Sequence, residues 1–446
     1  MSMRAVPNIG NATVDAPIDS LPDDVLAIIF EIARDIPSVY NYHTLPEKHF
    51  ELVVSQVNRH WRDVALNLAY LWRKIEIKPF QPLELLEAYL TRSSTRLVDI
   101  KFTLKQRVQH SKGDPSLQQS LVALIAHVHR WRRFSIHTYS YLTMKVIVDA
   151  IHPLTAPNLT HFRVYRFENE LQEDASESTF RGSVFTGGAP LLHSVECIGV
   201  SMECCWPPLQ ALTNLELELR EDKVGTPQGP MTQSRFVEML KSVPKVTHLQ
   251  LLGCIVHPEG TTAPIVELRH LDSLHLDFSW GGDYIESIFS VISSPALSSL
   301  TVDDMPEEDV SAFVEVINSS PRSPTYPQLN HLKFNGSGYL EFSYGFFLAT
   351  PSITHLTFRD CGTVFMPIFS DLVYYGSQPA SSVPWSNLRT IQIEPFGEDM
   401  AFAFHSFLCE RANIGHPLQS LSLNDTYIDD ARVDADELLS YAVGWV

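Results

Sequence analysis

From residue 97 onward the chain repeats one short phrase, apolar-x-x-apolar-x-apolar: LVDIKF (97), WRRFSI (131), LTHFRV (159), LHSVEC (192), LTNLEL (212), VTHLQL (246), LDSLHL (271), LSSLTV (297), LNHLKF (329), ITHLTF (353), LRTIQI (388) and LQSLSL (418). Successive phrases begin 20 to 35 residues apart, a spacing that scatters around one strand plus one helix with its loops. The alternation predicts a β-strand whose fourth and sixth positions point to one side, with the first packed beneath them and the third and fifth facing out. Between phrases, LQQSLVALIAHVHR, SRFVEMLKSV, YIESIFSVI, DVSAFVEVI and FAFHSFL carry apolar stripes at helical spacing. Strand then helix, repeated, predicts an α/β chain with a parallel sheet. Units that bury their apolar sides only against neighbours predict a solenoid, strands on its concave face and helices on its convex face. A doubly wound α/β domain gives a similar alternation, though twelve strands are many for one open sheet.

The amino-terminal pattern is different. Val25, Leu26, Ile28, Ile29, Phe30, Ile32 and Ala33 cover about 200° of a helix at 100° per residue, roughly twice the stripe that an ordinary surface helix buries. Ser20 or Leu21 caps this helix, Pro22 sits in its first turn, and Asp23 and Asp24 complement its dipole. A second helical series, Leu52, Val53, Val57, Trp61, Val64, Ala65 and Leu68, ends at Leu71 and Trp72. Two or three helices in so short a segment bury too small a fraction of their surface to hide all of this, so a second surface must cover it. That surface belongs either to a partner or to the rest of the chain, the helices then serving as an N-terminal cap.

The spacing LP-x-x-(V/L)-L-x-x-IF, followed by V-x-x-x-W and a closing LW, resembles the F-box, in the F-box-like form common in fungi. The matching residues are Leu21, Pro22, Val25, Leu26, Ile29, Phe30, Val57, Trp61, Leu71 and Trp72. Asn58 stands where many relatives have Cys, and the insert DIPSVYNYHTLPEKHF lengthens the connection between helices and is expected to loop outward. The resemblance implies docking of these residues on the Skp adaptor of a Skp–cullin–F-box ubiquitin ligase, with the rest of the chain presenting a protein substrate. The repeats resemble divergent leucine-rich repeats; VTHLQLLGC and ITHLTFRDC reach the cysteine-type form, ending at Cys254 and Cys361. The expected organisation is a disordered tail over 1–17, an F-box-like helical domain over 18–75, an irregular solenoid of about twelve units over 80–425, and a C-terminal cap over 426–446.

Composition narrows the function. With 33 basic and 52 acidic residues the formal charge is −19, which repels phosphate backbones and argues against a nucleic-acid partner. The opening residues lack an apolar signal core and no run reaches the roughly 20 apolar residues that span a bilayer, so no membrane role is expected. Six cysteines make no disulfide framework, and a reducing compartment, cytoplasmic or nuclear, is expected. The stretches at 167–179, 221–233, 319–328 and 376–386, rich in Pro, Gly, Ser and charge, predict exposed loops.

No GxSxG, P-loop, HExxH, dinucleotide glycine set or paired CxxC is present, so a non-catalytic chain without cofactor or metal is expected. An enzyme with a pocket in an α/β domain is the alternative of a different class, and a scaffold that holds the Skp adaptor without cullin is the alternative within binding proteins. Cys197, Cys204 and Cys205 lack tetrahedral-site spacing and read as buried thiols. His161, His248, His331 and His355 all occupy the third position of their phrases and are expected on the concave face. His331 and His355, on adjacent strands, would lie about 4.8 Å apart, close enough to couple their titration or hold an anion. Arg163, Gln250, Lys333 and Thr357, with Lys101, Arg133, Asn214, Glu216, His275 and Gln392, are expected to complete a substrate-binding face of mixed sign with no aromatic cluster.

Overall fold

The computed structural model describes residues 21–35, 49–104, 115–167, 180–219, 229–257, 264–278, 285–318, 326–337, 340, 342–377, 383–424 and 426–429. The expectations for the tail 1–17, the insert after Asp35, the last residues of the cap and part of each loop lie outside them. Two compact units are present: Met1–Lys101 with His110–Arg132, and Phe102–Gln109 with Arg133–Val446.

In the first unit, helix α1 (Asp23–Asp35) buries Leu26 and Phe30, one turn apart on a single face. Phe30 meets Trp61 edge-on at 5.1 Å and Phe50 at 6.3 Å, and so gathers α2 (Phe50–Val54) and α3 (Arg59–Asn67) beneath α1. Asn58 caps α3, its side chain accepting from the Trp61 amide at 2.8 Å. That contact gives a local reason for an amide at this position. A 3-10 turn, Ala69–Arg73, buries Leu71 and Trp72 completely. The Trp72 indole donates to the Ala65 carbonyl at 2.8 Å, and Tyr89 of helix α4 (Leu83–Arg92) packs on its edge at 5.0 Å. Glu51, also fully buried, accepts from the Tyr89 hydroxyl and lies 3.3 Å from His49 and 3.4 Å from Arg34. The unit also contains the strand Lys74–Ile77 and the helix Pro115–Ile125.

The second unit is a mixed α/β body around a large parallel sheet. Every phrase from 131 onward is a strand, and neighbouring strands pair with no slip: Leu300 with Leu332, Leu332 with Leu356, Leu356 with Ile391, Ile391 with Leu421. Fourth and sixth positions therefore form continuous buried rows, with Phe334 beside Phe358 and Phe358 beside Ile393. Strand order follows chain order without a reversal, which removes the doubly wound alternative, since that fold needs a switch point. Helices Tyr141–Ile151, Gln233–Ser242, Glu307–Asn318, Met366–Gly376 and Glu398–Asn413 cover the apolar rows. Phe358 reaches Phe369 of one helix at 6.1 Å, and Phe369 reaches Phe404 of the next at 5.0 Å. The closing strand Thr426–Asp429 is antiparallel to Ser420–Leu423.

Strand exits share a left-handed residue: Asp304, Gly336, Asp360 and Asn424 all have positive φ. At Gly336 a Cβ would stand 2.0 Å from an Asp304 carboxylate oxygen, so a larger residue there would have to displace that side chain.

Three expectations need correction. Strand and helix do not alternate throughout: between Ser194–Ile198 and Asn214–Leu219 there is only the 3-10 turn Met202–Cys204, because a 20-residue period is too short for a helix with its loops. Trp385, placed by composition in an exposed loop, is 2% exposed; it donates to the Thr350 hydroxyl at 3.1 Å and packs on Phe347 at 4.9 Å. Likewise Met231 and Gln233 are buried and Tyr326 is a core residue, Met231–Thr232 pairing with Val256–His257. A large side chain within a segment rich in proline and glycine can still turn inward.

Candidate functional site

In the first unit the ten residues singled out from sequence divide by burial. Leu26, Phe30, Leu71 and Trp72 are core; Leu21 and Trp61 are half-buried; Pro22, Val25, Ile29 and Val57 are exposed. Ile28, Ile32 and Val53 are exposed as well, and were not among the ten. Val25, Ile28, Ile29 and Ile32 stand at i, i+3, i+4 and i+7, a complete second stripe on α1 beside the buried one. The width of the apolar arc was the signal for them, more than the motif. Ile32, at 62% exposure, is the barest of the four. The helix is held at its far end, where Asp35 pairs with Arg73 at 3.0 Å and Lys74 at 2.9 Å and accepts from Tyr70. Burial opposes charge on Asp35, but the hydrogen bonds from Tyr70 and Lys74 and the cation of Arg73 outweigh it, lowering its pKa to about 2.

In the second unit the third and fifth positions form polar rows on the face away from the helices. The register brings His331 and His355 together, ring centroids 4.2 Å apart, and separates the other two: His161 faces Ser194, and His248 lies between Asn214 and Ser273. His161 has a different imidazole beside it, that of His193 at 4.7 Å, from the second position of the next phrase. Arg163 pairs with Glu196 at 3.1 Å. Gln250 sits between Glu216 and His275, and His275 pairs with Asp303 at 2.7 Å. Lys333 lies between Thr301 and Thr357. Burial and then the neighbouring Glu196 carboxylate push the Glu216 pKa up.

An aromatic cluster is present on this face, against expectation. His137 stacks on Tyr165 at 5.5 Å, and Phe167 lies 4.7 Å from both Tyr165 and Tyr139. These residues follow the six-residue phrases, where the strands run on for one more outward position, so the phrase alone did not include them.

Among the described residues no group of three or more His, Cys, Asp or Glu is placed to hold a metal. The Cys197 and Cys205 sulfurs are 3.9 Å apart, buried and hydrogen-bonded as free thiols; burial pushes the nearby Cys204 thiol up to about 12. A thiol with that pKa is a poor nucleophile. Comparison with protein-family models and with curated proteins finds no match.

Proposed function

We propose that this chain is the substrate-recognition subunit of a Skp–cullin–F-box type ubiquitin ligase. The α1 region docks on the Skp adaptor, and the second unit, a leucine-rich-repeat-like solenoid, binds a protein substrate on the polar face of its strands. The observation that carries the reading is the exposed stripe Val25, Ile28, Ile29 and Ile32 on a helix whose other stripe is already buried. Four large aliphatic side chains in helical register, joined by Val53 and Val57, are the usual anchors of a helix laid into an apolar groove. The adaptor offers that chemistry, and the LP of the motif leads directly into the helix that carries the stripe, with Trp61 on α3 packed against Phe30 of that helix.

In this role the chain is not an enzyme and works in the cytoplasm or nucleus. It holds the substrate at high effective concentration near a charged conjugating enzyme, so that ubiquitin transfer becomes effectively intramolecular. Adaptor capture tests the docking, comparing wild type with a Pro22→Ala, Ile29→Asp double variant whose fold is checked by circular dichroism. Capture by the wild type and loss in the folded variant supports it; equal capture, or none by either, sinks it. Recovery of a cullin with the adaptor distinguishes a ligase subunit from a scaffold that holds the adaptor alone.

A further inference from the structure

The second unit contains a cleft of about 520 Å³ between the strand entries at Leu388 and Leu418, lined by Ser386, Asn387, Arg389, Gly415, His416 and Gln419 among others. In a chain of net charge −19, its lining contains no carboxylate. Hydroxyl, amide, guanidinium and imidazole groups line it instead, all able to donate hydrogen bonds. Arg389 is exposed and Lys333 on the neighbouring face is half-buried, and neither has an ion pair among the described residues. The Arg389 amide donates to the Thr354 carbonyl at 2.9 Å, which places the cleft against the His355 strand entry.

His355 is prepared for the same chemistry. The Thr354 hydroxyl donates its one proton to the Asn330 carbonyl at 3.1 Å, so it accepts from Nδ1 of His355 at 2.8 Å. Nε2 is therefore the nitrogen that takes up the second proton. The groups facing His355 are His331 across the strand, ring centroids 4.2 Å away, and Arg389; burial, then these two, lower its pKa. Positive charge here is mutually repulsive, and an anion would relieve that repulsion.

We propose that the Arg389–His416 cleft, with His355 and His331 beside it, binds an oxyanion, carboxylate or phosphate, borne by a peptide segment of the client protein. The client is that of the ligase reading, but the chemistry of the site stands without the adaptor. Binding takes up a proton at His355 and so strengthens as pH falls toward 6.

The test uses the full-length chain without adaptor, with imidazole resonances followed by NMR. Inorganic phosphate should shift His355 and His416 saturably and raise the His355 pKa. Arg389→Gln and His416→Gln should each weaken binding roughly tenfold or more, since a hydrogen bond to a charged group is lost. Phosphoserine and Asp/Glu peptides, set against a lysine-rich control, identify the source: binding of either acidic peptide with rejection of the control supports the site. A wild-type His355 pKa unmoved by saturating phosphate overturns it and needs no variant; so do equal affinities in wild type and Arg389→Gln. Adaptor capture by the Arg389→Gln chain is expected to be normal, so failure here is distinct from failure of the docking helix.

Discussion

Ile29 and Phe30 are consecutive on α1 and meet opposite surroundings: Phe30 is 1% exposed against Trp61, whereas Ile29 remains 39% exposed. Truncation should separate them. Phe30→Ala is expected to cost about 3 to 5 kcal/mol, as for a large core aromatic, and Ile29→Ala less than about 0.5 kcal/mol, as for a surface site. Chemical denaturation of the two variants measures this; a large loss for Ile29→Ala would show that its side chain is covered within the chain.

Acid should weaken the first unit through Asp35 and Glu51. The Glu51 pKa is also lowered: burial opposes its charge, and the hydrogen bonds of His49 and Tyr89 with the Arg34 cation outweigh that. A carboxylate with a depressed folded pKa contributes stability that is fully present above its unfolded value, roughly 4. That contribution is lost as pH falls through the folded value, about 2 for Asp35. Denaturation midpoints between pH 5 and 2 should fall less steeply in Asp35→Asn and in Glu51→Gln than in wild type.

Trp385→Ala should cost about 3 to 5 kcal/mol, because it empties a site shared with Phe347 and Thr350. An effect below about 1 kcal/mol in thermal or denaturant unfolding would return the residue to the surface loop that composition suggested.

Thiol labelling should be ordered by burial. Cys409 is exposed and should react within the dead time of a disulfide reagent, while Cys197, Cys204 and Cys205 wait for unfolding. Fast labelling of Cys197, Cys204 or Cys205 in native protein, located by peptide mass mapping, would contradict the packing around the Ser194–Ile198 strand.

The helix and strand elements were legible wherever a local period carried the information. Leu332 and Phe334 point one way and His331 and Lys333 the other because side chains alternate along any strand, so burial could be read from six residues. The same locality explains the histidine pair: once both phrases start in the same frame, His331 and His355 must be neighbours if their strands are. The Arg389–His416 cleft was not legible, since it joins the entries of two strands through loops with no period.

What the sequence determined by itself is the twelve phrase strands, their inward and outward rows, and an α1 with more apolar surface than a small helical unit can cover; the short strands outside the phrases, such as Lys74–Ile77 and Met231–Thr232, it did not. Each follows from backbone geometry and from counting apolar side chains. Tertiary structure alone decided which apolar residues became core and which stayed bare, that Leu71 and Trp72 lie inside while Ile28 and Ile32 do not, and that Trp385 turns inward beside a chain reversal. Those outcomes depend on which distant surfaces meet, and packing against a distant surface leaves no periodic trace in the chain.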